Sequence, residues 1–169
     1  MSADKKIVTL PAATAETYDM FETPCHLIRL ALKSAYDIFL EEVGGAGLTP
    51  PQFFVVLAVH QNPGIKQNDL VKLTGSDRST VAELAGRLVA RGFLIRKRLK
   101  DDQRVNRLLT TKEGEASLRR AISGAVTADE RIIGPIPEDK RADFIACLKL
   151  VADPGLPTLA EYSLAPAQQ

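Results

Sequence analysis

Residues 77–104 limit the possible folds of this chain more than any other stretch of the sequence. Apolar side chains recur at the i, i+3, i+4 and i+7 spacing of one helical face: Val81, Leu84, Ala85 and Leu88. Gly92 ends the predicted helix. Two strands then follow, at 93–99 and 105–110, on either side of a turn at 100–104. A hairpin this short does not fold alone, so it must pack against neighbouring helices.

A second, shorter helix is predicted at about 67–73, just before the longer one. Gly75 separates the two, and Ser76 or Asp77 caps the longer helix. Because only a few residues join them, the helices must cross steeply, which is the helix-turn-helix pattern. The outer face of the longer helix combines small, hydroxyl and arginine side chains: Arg78, Ser79, Ala82, Glu83, Gly86, Arg87, Ala90 and Arg91. Such a face suits base edges and phosphates, whereas the alternative is an ordinary charged surface helix.

The charge of the hairpin region differs from that of the rest of the chain. Residues 91–107 hold seven basic and two acidic side chains, a net +5, whereas the remaining 15 basic and 19 acidic residues give −4. A cationic patch on a mildly acidic body suits phosphate binding. Lys97 and Arg98 are predicted phosphate contacts, and the Asp102 carboxylate is predicted to orient Arg104 for a narrow minor groove. The alternative is a solvated hairpin with a surface ion pair of little value.

Helices are also predicted on both sides of this region. Thr23, which is followed by proline, begins a helix that reaches about Val43. Thr49, also followed by proline, begins a second helix that ends at the 62–64 turn. Thr111 begins a long helix to about Ile133, and a last helix follows at about 138–152. A monomer covers the apolar faces of the first and last two helices poorly, which predicts a homodimer. The alternative is that they close a monomeric bundle.

Composition fits one soluble, cytoplasmic domain. The 169 residues are 25% charged and 45% hydrophobic, with no apolar run long enough to span a membrane and no secretory signal at the start. Cys25 and Cys147 are expected to be buried or half-buried free thiols, because no metal-ligand spacing surrounds them. We expect no cofactor and no metal. Enzyme activity is not expected either, because phosphate-binding glycine loops, nucleophile elbows and paired metal ligands do not occur in the sequence.

The chain resembles the multiple antibiotic resistance regulator (MarR) family over about residues 25–150. The matching segments are Leu-Thr-Pro-Pro-Gln-Phe at 48–53, Asp-Arg-Ser-Thr at 77–80, 88–92, Asp-Gln-Arg at 102–104 and Thr-Lys-Glu-Gly at 111–114. One departure is Thr110, where the family usually has leucine, so Leu108 or Leu109 is expected to pack instead. The resemblance implies that four residues of the longer helix face DNA: Arg78, Ser79, Thr80 and Arg87. It also implies that Arg104 enters the minor groove.

The resulting prediction is a mainly α fold with a small β-hairpin wing, a winged helix-turn-helix with N- and C-terminal dimerisation helices. The expected parts are a flexible arm (1–22), a dimerisation helix (23–47) and the winged helix-turn-helix DNA-binding domain (48–111). The C-terminal dimerisation helices (112–153) and a tail (154–169) follow. A two-fold axis would place two reading helices about 34 Å apart on double-stranded DNA. This spacing predicts a pseudo-palindromic operator, and the resemblance implies a repressor.

Two possible signals and one alternative function remain open at the level of sequence. The family commonly binds small aromatic or anionic effectors, and the candidate effector-binding residues are His26, Arg29, Phe53 and Tyr36, which would suit a carboxylate, a phenolate or an acyl thioester. Cys25, at a predicted helix start, is the candidate for oxidant sensing instead. A third alternative is a winged-helix module that binds protein partners without DNA.

Overall fold

The computed structural model describes residues 14–99 and 102–152, excluding the side chains of 98, 99 and 102–106. The expected tail at 154–169, and the part of the expected arm at 1–13, lie outside these described residues. The chain divides into two compact units, Met1–Ser34 and Ala35–Gln169.

The first unit holds a short 3₁₀ turn, Met20–Glu22, followed by the start of helix α1, Pro24–Val43. The Asp19 carboxylate caps the turn by accepting from the Phe21 backbone N–H at 2.9 Å. The Thr23 hydroxyl donates to the Met20 carbonyl oxygen at 2.8 Å and so closes the turn. Helix α1 therefore begins at the proline that the sequence predicted.

The second unit continues α1 and contains the other elements, in the order 3₁₀ turn Gly44–Ala46, α2 Pro50–Gln61, β1 Ile65–Lys66, α3 Gln67–Thr74, α4 Arg78–Ala90, β2 Leu94–Leu99, β3 Asp102–Thr110, α5 Lys112–Ile133 and α6 Glu138–Ala152. All predicted helices are confirmed, with ends within a residue or two of those expected from capping residues, prolines and glycines. The capping box of α2 is present, since Thr49 and Gln52 each accept from the other's backbone N–H.

The sheet is antiparallel with strand order β1-β3-β2. Strand β1 was not predicted, because two residues carry no periodic pattern; Ile65 pairs with Leu108 of β3. The predicted turn at 100–104 is wrong for 102–104, because β3 begins at Asp102, whose partner is Leu99. The register shifts between Arg98, which pairs with Asn106, and Leu99, which pairs with Asp102.

The core of the second unit is built around α2. Its residues Phe53, Val55, Val56 and Val59 are buried, and the helix contacts α3, α4, α5 and β3. Helix α2 is therefore buried on several sides, in keeping with its nearly continuous apolar sequence. Leu108 of β3 is fully buried, which compensates for Thr110 as expected. Phe93 and Leu94 are also buried, whereas Ile95 is exposed, so the inward-facing pair at the start of β2 is Phe93 and Leu94.

Helix α5 makes two close backbone approaches at glycines. A Cβ at Gly114 would lie well inside van der Waals contact of the Phe93 carbonyl oxygen, and one at Gly124 would do the same at the Glu42 carbonyl oxygen. Arg131 forms ion pairs with Glu42 and, at 2.9 Å, with Glu41. Helix α5 is thus fixed against the end of α1 by close contact at Gly124 and, about two turns later, by the ion pairs of Arg131.

Much apolar surface is exposed in the single chain. Val126 of α5 is 54% exposed, and Leu148 and Val151 of α6 are 42% and 66% exposed. Among the described residues of α6, none is buried. In the first unit, Leu27, Ile28 and Leu32 are likewise exposed.

A test of length and hydropathy finds no single membrane-spanning helix within 14–99 and 102–152, although Pro24–Ala46 and Pro50–Gln61, bent by 63°, pass it as a pair.

Candidate nucleic-acid interface

A short turn joins α3 to α4 in the second unit. Gly75, in the left-handed region at φ 62°, ends α3; glycine adopts this conformation without the steric cost that a Cβ brings. Asp77 caps α4, and its carboxylate accepts from the Thr80 backbone N–H at 2.9 Å. Of the two predicted capping residues, Ser76 and Asp77, the structure selects Asp77.

Helix α4 has one anchored face and one open face. Val81, Ala85 and Leu88 are fully buried, and Leu84 is partly buried against the same core. The predicted DNA-facing residues are exposed: Arg78, Ser79, Thr80 and Arg87. The half-buried Ala82 and Gly86 lie between the faces, so little bulk separates the helix backbone from an approaching molecule.

The Asp77 carboxylate organises the first turn of α4. It accepts from the Thr80 hydroxyl at 2.6 Å and from the Ser79 hydroxyl. These two hydroxyl donors, with the Thr80 backbone N–H, hold the pKa of Asp77 well below its usual range. Because both hydroxyl hydrogens point to Asp77, the oxygens of Ser79 and Thr80 keep lone pairs for acceptance. The major-groove donors of DNA are the amino groups of adenine and cytosine.

Arg87 is held by an ion pair with Glu83, one turn earlier on the exposed face of α4. Both side chains are more than 60% exposed, so the pair stabilises the fold little and is readily exchanged for another partner. A guanidinium of this kind binds guanine edges or phosphates in a bidentate manner.

The wing next to α4 is basic. Lys97 is exposed on β2, and the guanidinium of Arg96 lies 3.9 Å from the position of a Cβ at Gly86. The sequence indicated Arg96 only as part of the charged patch, because its contact with α4 is not visible in local pattern. The side chains of Arg98, Asp102 and Arg104 lie outside the described residues, so the predicted Asp102–Arg104 pair is untested.

Two arginines counted in the basic patch are bound within the protein. Arg107 is half-buried and donates to the Gly64 carbonyl oxygen at 3.1 Å. Arg91 donates to the Gly47 carbonyl oxygen at 2.8 Å and to Gln52 Oε1 at 3.1 Å. The basic patch is therefore less free to bind phosphate than the count of charges in residues 91–107 indicates.

The candidate effector residues fall in both units. In the first, Arg29 Nη2 lies 3.5 Å from His26 Nδ1, and the ring of Phe21 packs edge-on against His26 at 5.5 Å. In the second, Tyr36 is half-buried. Phe53 is a core residue whose ring contacts those of Phe39 and Phe54, and Phe54, which the sequence pattern did not indicate, is the exposed member of this cluster.

Both cysteines are exposed free thiols, and the prediction that they are buried or half-buried is wrong. Cys25 lies in the first turn of α1. Cys147 lies on α6, where this chain alone buries no described residue. In the parts of the chain that the structure describes, no three His, Cys, Asp or Glu side chains are grouped to hold a metal ion.

Sequence comparison matches residues 46–105 to the MarR family. The transcriptional regulator HosA of Escherichia coli O157:H7 is 31% identical over 102 residues, which is 60% of this chain and 76% of HosA. The segment matched to the family begins in the turn before α2 and ends within β3, so it contains the helix-turn-helix and most of the wing.

Structural comparison extends the likeness to most of the chain. The regulator PcaV from Streptomyces coelicolor, solved with its natural ligand, is 31% identical with a TM-score of 0.75, covering 81% of this chain and 96% of PcaV. The transcriptional repressor CouR, bound to a 23-mer DNA duplex, is 28% identical with a TM-score of 0.72, covering 79% of this chain and 94% of CouR. CouR has also been solved with p-coumaroyl-CoA. With this winged helix fold and these relatives, the chain belongs to the MarR family of transcriptional regulators.

Proposed function

We propose that this protein is a cytoplasmic, homodimeric repressor that binds a pseudo-palindromic operator and is released from it by a small aromatic or anionic effector. The observation that carries the DNA-binding part is helix α4. Three of its residues are fully buried, whereas the outer face of its first three turns presents hydroxyl and arginine side chains to solvent. We call α4 the recognition helix below.

The proposed contacts divide between the two grooves of DNA. Arg78, Ser79, Thr80 and Arg87 read major-groove edges or bind the phosphates beside them. Arg104 enters the minor groove, and Asp102 orients it. Lys97 and Arg98 bind phosphates and add a salt-sensitive, sequence-independent share of the affinity. The DNA complex of CouR supports this mode of binding for a related chain.

Exposed apolar side chains support the dimer. Ile122 and Val126 on α5 and Leu148 and Val151 on α6 are all more than 40% exposed in the single chain. Exposed apolar patches of this kind mark interaction surfaces. A second copy of the chain, related by a two-fold axis, buries the same surface on both partners and sets the spacing of the two recognition helices.

The proposed effector is an aromatic carboxylic acid or its acyl thioester. CouR binds p-coumaroyl-CoA, and it is 26% identical to this chain in that structure. His26 and Arg29, which lie within 3.5 Å of each other, supply cationic or donor groups for a carboxylate or phosphate. Within the second unit, the half-buried Tyr36 supplies aromatic surface, whereas Phe53 lies in the core beside the exposed Phe54. Release from DNA requires that the effector bind the DNA-competent and DNA-incompetent conformations with different affinity.

Oxidant sensing is the second candidate for the signal, and the exposure of the free Cys25 thiol supports it. Its position in the first turn of α1 leaves the thiol accessible to an oxidant in solution. Oxidation there would add a polar group at the start of α1.

The decisive experiment is an electrophoretic mobility shift with the DNA upstream of the gene, at two salt concentrations. We expect tight binding that weakens strongly with salt, because phosphate contacts release counterions. Arg104→Ala should cost about tenfold in affinity or more, as the loss of one base-reading arginine does. Arg119→Ala is the matched control, since this exposed arginine on α5 lies outside the proposed interface.

The outcome also separates the three alternatives. Release of the shifted complex by p-coumaroyl-CoA or p-coumarate supports a ligand signal, and release by hydrogen peroxide that Cys25→Ser abolishes supports an oxidant signal. No shift at low salt would favour the protein-interaction module. Unchanged affinity of Arg104→Ala would remove the wing from the proposed interface.

A further inference from the structure

Arg91 is the first residue after the recognition helix, and its side chain is directed into its own chain. Its guanidinium makes three contacts: Nη2 donates to the Gly47 carbonyl oxygen at 2.8 Å, Nη1 donates to Gln52 Oε1 at 3.1 Å, and Cζ lies over the Phe93 ring, 4.5 Å from its centre. The two acceptors are 44 and 39 positions away in sequence. The side chain thus joins the end of α4 to the turn before α2, at Gly47, and to the first turn of α2, at Gln52.

The acceptors of Arg91 are themselves fixed. Gln52 Oε1 also accepts from the Thr49 backbone N–H at 3.2 Å, as part of the capping box of α2. Gly47 follows the 3₁₀ turn, and its neighbour Ala46 accepts at its carbonyl from the buried Ser117 hydroxyl of α5 at 3.1 Å. Two successive carbonyl oxygens therefore accept hydrogen bonds from other elements: Ala46 from Ser117 of α5, and Gly47 from Arg91 at the end of α4.

Resting on the DNA-binding function proposed above, we propose that Arg91 is a positioning residue for operator recognition. It fixes the C-terminal end of the recognition helix against the α1–α2 turn and does not contact DNA itself. A planar guanidinium that donates through two nitrogens and lies over an aromatic ring has a defined orientation, unlike an ammonium group. Base readout requires side chains to be placed within about 0.5 Å, so a loosened helix end lowers binding to the operator.

The competing explanation is that this exposed arginine simply binds a phosphate. The two roles differ in three measurable ways. Loss of a phosphate contact weakens binding to all DNA sequences alike and lowers the salt slope by about one. Loss of a positioning contact weakens operator binding selectively, leaves binding to unrelated DNA and the salt slope unchanged, and is coupled to loss of Gln52.

The test compares Arg91→Lys with the wild-type full-length protein on an operator duplex and an unrelated duplex, by fluorescence anisotropy over a series of salt concentrations. Lysine keeps the positive charge but cannot make the two diverging hydrogen bonds of the guanidinium. We expect about tenfold weaker operator binding, the equivalent of one lost charged hydrogen bond. Binding to the unrelated duplex and the salt slope should stay as in the wild type. Wild-type operator affinity in Arg91→Lys would overturn the proposal.

Gln52 provides the second arm. Gln52→Glu keeps an acceptor for both Thr49 and Arg91, so operator binding should be retained, whereas Gln52→Ala should lose it to a similar extent as Arg91→Lys. Because the Arg91–Gln52 hydrogen bond is lost in both variants, the double variant Gln52→Ala with Arg91→Lys should bind the operator no more weakly than the more impaired of the two single variants. Multiplicative losses would show independent roles and would overturn the proposal.

Two controls separate this proposal from the function on which it rests. Arg119→Ala removes an exposed positive charge elsewhere and should bind the operator normally. Thermal unfolding by circular dichroism checks that each variant is folded at the assay temperature. If the wild type binds no upstream DNA, the proposed function fails; if it binds and Arg91→Lys is unaffected, only the role of Arg91 fails.

Discussion

At the scale of single residues, the first turn of the recognition helix shows how one carboxylate serves several neighbours. Asp77 accepts from the Thr80 backbone N–H and from the hydroxyls of Ser79 and Thr80. The capping role was visible in the sequence because aspartate is favoured at this position. The two hydroxyl contacts were not, since they depend on side-chain rotamers that local spacing does not specify.

Asp77→Ala should lower the melting temperature by a few degrees at neutral pH, because α4 loses its cap. The pKa of Asp77 is lowered in the folded protein by the Ser79 and Thr80 donors. Its stabilising effect is therefore complete above the ordinary carboxyl pKa of 3.8 and is lost as the pH falls towards the lower folded-state value. The difference in melting temperature between wild type and Asp77→Ala, measured by circular dichroism, should shrink on acidification below that pH.

Asp77→Asn is the control for this prediction, since asparagine keeps a capping oxygen but does not titrate. At neutral pH its melting temperature should lie between those of the wild type and Asp77→Ala, and its advantage over Asp77→Ala should not change with pH. A wild-type advantage over Asp77→Ala that persists unchanged in strong acid would mean that the ionised carboxylate is not the stabilising group.

At the scale of elements, close backbone contacts at glycine fix the position of α5. The Thr111 hydroxyl accepts from the Gly114 N–H at 3.0 Å and donates to the Gly92 carbonyl oxygen at 2.6 Å. This joins the start of α5 to the segment between α4 and β2. Gly114 then lies against the Phe93 carbonyl with no room for a side chain.

Gly114→Ala should destabilise the protein by about 3 kcal/mol or more, because the added methyl group meets a backbone carbonyl that cannot rotate away. Chemical unfolding followed by far-UV circular dichroism measures this loss, since the chain has no tryptophan. Gly45→Ala is the matched control, because a Cβ there meets nothing within 4 Å. Equal stability of the two variants would show that α5 shifts at little cost.

At the scale of the whole molecule, the exposed apolar faces of α5 and α6 point to the proposed dimer. The sequence predicted these faces from helical spacing. The structure adds that the single chain leaves them uncovered, since Leu148 and Val151 remain largely exposed.

Leu148→Glu should convert the protein to a monomer with weakened operator binding, because a carboxylate would be buried in the dimer interface without a partner. Light scattering after size-exclusion chromatography gives the mass, and the mobility shift gives the affinity. Ala146→Glu is the control, because at about 100° per residue it lies on the opposite side of α6 and is exposed. A Leu148→Glu protein that remains fully dimeric would exclude this face from the interface.

Much of the fold follows from local pattern. Capping residues, prolines and glycines predicted the ends of the helices, and the spacing of Val81, Ala85 and Leu88 predicted the anchored face of α4. Strand β1 was missed, because a two-residue strand exists only through its partner in β3. The tip of the wing was placed too late along the chain, because strand pairing extends β3 back to Asp102.

The candidate site divides in the same way. Exposure of Arg78, Ser79, Thr80 and Arg87 followed from their position opposite an apolar face. Which arginines form hydrogen bonds within the chain did not follow from the sequence, because Arg91 and Arg107 donate to carbonyl oxygens about 43–44 positions away.

By itself, the sequence determined the helices, the anchored face of α4, the basic wing and, through its motifs, membership of the MarR family. These properties depend on periodicity and capping within a few residues, which a linear pattern records. Only the tertiary structure decided which arginines are free for an external partner and which, like Arg91, hold the protein together. Sequence composition counts charges, but hydrogen bonds between distant segments determine where each charge is used.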